Sequence, residues 1–229
     1  MNTMNNNVVN TKTQIENTCK DLINQKLAIF HNPSVFSENQ EEHIEYVTWD
    51  NHQGGRLVSG KNFNNISQYL AIITSGAYQL LLFDYSVIRC SFIFDMKGKI
   101  QSQNLLWWPC PIKDTMAWAE TELGLIGGLK QDLDDIVALE QLKMRTPIRV
   151  DFDRDIDRTD HPSSHIHLQH HATRVRCNAP ICFNTFMKSI FKNFYPDITV
   201  SLKNWDYLHY SGLTRTRAIE YLNSTVVSF

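Results

Sequence analysis

Glycine and proline are scarce in this sequence, nine and seven in 229 residues, which excludes collagen-like repeats and the Pro/Gly-rich composition of disordered chains. Cysteine is scarce too. Cys19, Cys90, Cys110, Cys177 and Cys182 are odd in number, scattered and without a C-x-x-C pair, so free thiols in a reducing compartment are expected rather than disulfides or a zinc knuckle. No apolar run reaches the roughly 18 residues that cross a bilayer. The opening MNTMNNNVVNTK also lacks the basic and apolar regions of a signal peptide, so a cytoplasmic protein with no membrane partner is expected. Neither charge sign is in excess: 22 basic against 24 acidic residues give a formal charge of -2. No global basic field therefore holds the chain on nucleic acid, and any such contact must be local.

What is present is an ordinary globular composition, 42% hydrophobic and 20% charged, in a chain long enough to bury one good core. The Asn-rich residues 1–12 are expected to be a flexible N-terminus and residues 13–229 a single α+β domain. In TQIENTCKDLINQKLAIF, residues 13–30, Ile15, Cys19, Leu22, Ile23 and Leu27 recur at helical spacing and predict an amphipathic helix. HNPSVFS then breaks the pattern, HIEYVTW (43–49) alternates as a short strand, and SQYLAIIT (67–74) fits a short helix. QLLLFD, SVIRCSFIFD and KIQSQNLLWWP follow as three β segments, split by the turn formers Asp84-Tyr85-Ser86 and Asp95-Met96-Lys97-Gly98, which predicts an antiparallel meander. Trp107 and Trp108 at its end read as core and rim rather than a base-stacking platform.

Residues 108–130 read as a connector or a mobile flap and 130–145 as a helix; CFNTFMKSIFKNFY (182–195) carries one aromatic stripe and reads as a core helix, and TRTRAIEYL (214–222) as a final one. The expected fold class is α+β, a curved antiparallel sheet packed against N-terminal and C-terminal helices.

Residues 147–171, PIRVDFDRDIDRTDHPSSHIHLQHH, concentrate five of the nine histidines beside five aspartates. Alternate side chains of a strand share a face. RVDFD as a strand puts Arg149, Asp151 and Asp153 opposite Val150 and Phe152, and HIHLQ puts His165, His167 and Gln169 opposite Ile166 and Leu168. Paired antiparallel, the two segments present one greasy face to the core and one face of Arg, Asp and two His, which Arg174 and Arg176 can join.

Such a surface suits two chemistries. In the first, a metal-independent ribonuclease or phosphodiesterase, His165 and His167 serve as acid and base, Arg149 with Arg174 or Arg176 holds phosphate, and Asp151 orients a histidine. In the second, His165, His167 and Asp151 bind Zn²⁺, Mn²⁺ or Fe²⁺. Calcium at Asp151, Asp153, Asp155 and Asp157 fits poorly, because the glycine and terminal glutamate of an EF-hand are missing. The plain alternative is a solvated hairpin in which Asp151 merely pairs with Arg149. Asp160-His161-Pro162 reads as a turn, and His170 and His171 have no obvious partner.

DYSVIRCSFIFDMKGKIQSQNLLWWPCPI, PIRVDFD, HPSSHIHL and FMKSIFKNFYP together resemble an uncharacterised bacterial family, domain of unknown function 2290. The resemblance implies bacterial origin and marks Arg149, Asp151, His161, His165 and His167 as the important positions, with no role attached. By looser analogy it points to toxin-like or phage-defence proteins that carry an R-x-D strand before a His-rich strand. The leading functional expectation is thus a defence or toxin-type protein acting without a cofactor on RNA or another phosphodiester, with His165, His167, Asp151, Arg149 and His161 as the catalytic set. A non-enzymatic accessory subunit that binds a partner protein of a defence operon, and a metal-dependent hydrolase, are the alternatives.

Overall fold

The computed structural model describes residues 6–52, 66–112, 145–158, 161–168, 173–198, 200–201, 205–210 and 226–227. The expected connector beyond Ile112, the helices over 130–145 and 214–222, and His170 and His171 lie outside the described residues.

Helix α1 spans Asn6–Asn24 and buries Val8, Thr11, Ile15, Thr18, Cys19 and Leu22 along one stripe. Residues 6–12, expected to belong to a flexible N-terminus, form its first turns: the burial of Val8 and Thr11 outweighs the poor helix propensity of the asparagines around them. The helix also stops earlier than its periodicity suggests. Lys26 takes a left-handed φ of 58°. Its N–H donates to the Ile23 carbonyl (2.9 Å) and that of Leu27 to the Leu22 carbonyl (2.8 Å), the pair of bonds that ends a helix in a Schellman motif. The chain turns there into β1 (Ala28–His31) and then β2 (Ser34–Asn39), two strands the sequence reading missed.

The remaining strands are β3 (Ile44–Trp49), β4 (Leu80–Leu82), β5 (Val87–Asp95), β6 (Ile100–Trp108), β7 (Ile148–Asp153), β8 (Ser164–Leu168), β9 (Val175–Cys177) and β10 (Val226–Val227), with α2 over Ile66–Ser75 and α3 over Phe183–Phe194. They form one open sheet in the order β1-β4-β5-β6-β7-β8-β9-β10, with the hairpin β2-β3 laid on β5. The nine residues of β5 hold β4 at one end and β3 at the other. All pairings are antiparallel except that of β10 with β9. The architecture is the expected α+β fold with a curved antiparallel sheet. No helix among the described residues is long and apolar enough to cross a membrane.

Period-two alternation gives the sheet two differently covered faces. Ile88, Cys90, Leu105, Trp107, Val150, Phe152 and Ile166 point to one face and pack with α1 and α3 in the main core. Leu81, Val87, Leu106 and Trp108 point to the other and pack with Tyr69, Leu70 and Ile72 of α2, together with Cys110 and Ile112 from the start of the connector. Both tryptophans are thus buried in packed clusters, at 1% and 6% exposed, as the sequence reading has them.

One pairing in the hairpin is unfavourable. Glu45 on β3 stands directly across from Glu38 on β2, is 5% exposed, and its Oε2 is buried without a hydrogen-bond partner. Burial, then the charges of Glu38 and Asp95, push its carboxyl above the ordinary value of 4.5. The folded state therefore binds this proton more tightly than the unfolded chain does, and stability falls as pH rises from 4.5 through the folded-state pKa. Glu45→Gln is expected to raise stability at pH 7 by about 0.2–1 kcal/mol, the size of a like-charge cross-strand pair, with the gain shrinking in acid. Urea melts at pH 7 and pH 4 check this; a destabilised variant at pH 7 would show that the carboxylate is well compensated.

Candidate metal centre

The two segments singled out in the sequence pair as β7 and β8, and the register fixes what meets what. Arg149 lies across from His167, Asp151 across from His165, and Val150 across from Ile166. On the far side of β7, Asn104 of β6 faces Asp151 and Leu106 faces Arg149; on the far side of β8, Arg176 of β9 faces His165. One row crossing the sheet thus reads Asn104, Asp151, His165, Arg176. A neighbouring row reads Leu106, Arg149, His167. Since Leu106 belongs to the cluster around α2, these rows lie on the face away from the main core.

The side-chain tips converge. His167 Nε2 is 3.1 Å from Asp151 Oδ2 and 3.0 Å from His165 Nε2, and His165 Nε2 is 4.0 Å from the same carboxylate oxygen. Asp151 also accepts from Arg149 Nε on Oδ2 (2.9 Å) and from Asn104 Nδ2 on Oδ1 (2.7 Å). His165 Nδ1 lies 2.6 Å from the carbonyl of Pro162. A carbonyl only accepts, so this nitrogen carries the proton and the Nε2 lone pair of His165 points at the cluster. His167 Nδ1 is buried and has no hydrogen-bond partner among the described residues, whose contacts with that ring lie on its Nε2 side.

Burial sets the charge states. His165 is 2% and His167 1% exposed. Loss of solvation pushes His165 down to about 4, against the pull of Asp151 and the Pro162 bond, so the imidazole is neutral at physiological pH. Burial alone would raise Asp151; the hydrogen bond from His167 and the charge of Arg149 outweigh it and hold the carboxyl below its ordinary 3.8. In His165 and Asp151, a neutral imidazole with its lone pair aimed inward beside an ionised carboxylate is the protonation pattern that metal ligands need; His167, whose Nε2–H donates to Asp151, would give up that proton to join them. Asp151, His165 and His167 are the group among the described residues that can hold an ion, each offering one ligand atom within 4.8 Å of the others.

The loop between the strands folds back over this face. His161 packs its ring edge-on against His165, with centroids 5.0 Å apart, and exchanges backbone bonds with Arg158, so it flanks the cluster without entering it. Asp157 accepts from the Ser163 N–H (3.3 Å) and meets Arg176 Nη1 (3.4 Å); Asp153 accepts from the Asp155 N–H (3.0 Å). These aspartates shape the loop rather than gathering into a calcium site. Arg174 immediately precedes β9, and continuing the register by one residue sets it across from His167.

Two members of the centre escaped the sequence reading, the Asn104 amide and the Pro162 carbonyl. The signal for Asn104 was its place in the meander, where it is the first polar residue before the apolar run Leu105–Trp108 and shares a face with Leu106. A backbone carbonyl leaves no signal of its own.

Over residues 20–223 the chain matches the family described as an uncharacterized conserved protein (DUF2290), and it belongs to that family. No curated protein and no solved structure matches it.

Proposed function

We propose that this member of the family is a metal-dependent hydrolase whose divalent ion, zinc, manganese or iron, is held by Asp151, His165 and His167. The observation that carries the reading is the convergence of one carboxylate oxygen and two imidazole Nε2 atoms at separations of 3.0, 3.1 and 4.0 Å. Ligands at about 2.0–2.2 Å from a shared ion in tetrahedral or octahedral geometry stand about 2.9–3.5 Å apart. Two of the three separations lie in that range, and the third exceeds it by about half an ångström.

The supporting shell has the form that metal sites take. An N–H of a ligating histidine that donates to a backbone carbonyl fixes tautomer and ring orientation, and His165 has that bond to Pro162. Arg149 and Asn104 orient the carboxylate. Three protein ligands leave a position for water or substrate, the feature that separates hydrolytic centres from closed four-ligand structural ones. A bound ion supplies acidification of that water.

The acid–base reading of the same histidines fits less well. A general acid and a general base acting on opposite sides of a phosphoryl group must stand apart by the width of that group, each within hydrogen-bond reach of its own oxygen. His165 and His167 instead face each other nitrogen to nitrogen at 3.0 Å. They share one side of the reaction, as co-ligands do.

Elemental analysis of the purified protein is expected to find about one zinc, manganese or iron per chain, and His165→Ala is expected to lose it. Wild-type protein that purifies without metal, and whose melting temperature ignores added Zn²⁺, Mn²⁺ and Fe²⁺, overturns the proposal.

A further inference from the structure

Near this centre, Arg174 is a cation that no described residue meets with an ion pair. Arg174 Nε is buried and has no hydrogen-bond partner, and Arg174 makes no ion pair or hydrogen bond with any described residue. Its two neighbours in the cluster are differently placed. Arg149 is tied to Asp151 at 2.9 Å, and Arg176 meets Asp157 and the Arg158 carbonyl, each at 3.4 Å. Burying a donor with no acceptor costs about 1–3 kcal/mol, so such groups in folded proteins call for a partner that the chain does not itself supply.

Charge indicates what that partner is. Asp151 meets Arg149 and His167, and Asp157 meets Arg176. Among the described residues Arg174 has no ion-pair partner, and a divalent ion on the neighbouring histidines would add two positive charges. The species that neutralises such a cluster carries two or more oxygens and negative charge. A guanidinium fork matches a tetrahedral oxyanion in two-point contact, which a single metal-bound water does not. Continuing the register one residue beyond β9 sets Arg174 across from His167, close enough along the sheet for one anion to bridge the two positions.

We propose that Arg174 binds a phosphoryl group, and that phosphate esters are the substrate class of this centre. The hydrolytic part rests on the metal-dependent reading above; phosphate binding at Arg174 does not.

The test is titration calorimetry with inorganic phosphate on wild type, Arg174→Ala and Arg174→Lys, each metal-loaded and after chelation, with metal content measured alongside. The expected result is one phosphate site in the wild type, at least tenfold weaker binding in the alanine variant with metal content unchanged, and intermediate binding in the lysine variant. Hydrolysis of p-nitrophenyl phosphate and of its bis-ester should fall with Arg174→Ala at least tenfold. Wild type that ignores phosphate, or an alanine variant that binds it as tightly, overturns the proposal and leaves the metal reading standing. Metal-free wild type whose phosphate binding depends on Arg174 does the reverse. Should the alanine variant fold poorly, the lysine variant alone decides: full retention of the phosphate site with a displaced fork geometry counts against a two-point contact.

Discussion

Replacing Asp151 by alanine is expected to lower the free energy of unfolding by about 3–5 kcal/mol, among the largest losses a single substitution in this fold can give. The reason is the number of groups that depend on one carboxylate. Asp151 accepts from Arg149 and Asn104 and faces two imidazoles, and its side chain is only 20% exposed while that of Arg149 is 13% exposed. Truncation takes the carboxylate at 2.9 Å from the half-buried Arg149 guanidinium and the acceptor at 2.7 Å from the half-buried Asn104 amide. Asp151→Asn keeps the shape and one acceptor oxygen, so it should cost less stability while still abolishing metal retention. Because the folded carboxyl titrates below its ordinary 3.8, its stabilisation is fully present above that pH and is lost as pH falls through the folded-state value. The gap between wild type and the alanine variant should therefore narrow in acid. Urea unfolding of chelated protein at pH 7 and pH 3 measures it, and an alanine variant as stable as wild type at pH 7 would mean that the carboxylate is idle.

That the hairpin was legible before any coordinates follows from the strictness of a period of two. A slip of one residue would have buried Arg149, Asp151, His165 and His167 in the main core and exposed Val150, Phe152 and Ile166, so polarity alone decides the register. The meander was legible for the same reason, with Asp84 and Asp95 opening its turns as their carboxylates accept from the backbone N–H groups of Ser86, Lys97 and Lys99.

What the sequence concealed was the work of tertiary contacts. Leu27, Ile29 and Phe30 continue a run that a helix would also accept, and only the left-handed Lys26 decides that the chain turns into a strand. Likewise the loop of Asp, Arg and Ser that composition marks as solvent-exposed folds back onto His165, through the Pro162 carbonyl and the His161 ring. The loop folds back because Asp157 finds Arg176 and the Pro162 carbonyl finds His165. Burial matters for the chemistry, since the His165 imidazole in water would titrate near neutrality and would make a poorer ligand in weak acid.

Trp107→Ala is expected to cost about 3–5 kcal/mol, the range for removing a fully buried tryptophan, and the loss should be of stability rather than of any binding function. The ring is 1% exposed and packs against Phe194 at 4.3 Å and Tyr195 at 6.3 Å between centroids, with the Arg145 guanidinium 5.9 Å from its own. Its Nε1–H donates to the Tyr195 hydroxyl at 3.4 Å. That hydroxyl in turn donates to the Asp84 carboxylate, which also accepts from Arg145 at 3.1 Å. The end of α3, the Asp84 turn and the entry to β7 thus meet on one indole. Deleting it opens a cavity in the main core and unties Tyr195, but it touches nothing in the rows that carry Asp151 and His165, because Trp107 points to the opposite face from Leu106. Metal content per folded molecule should therefore match wild type while the urea midpoint drops. A variant of unchanged stability that instead lost a ligand would return this residue to the binding surface its sequence invites.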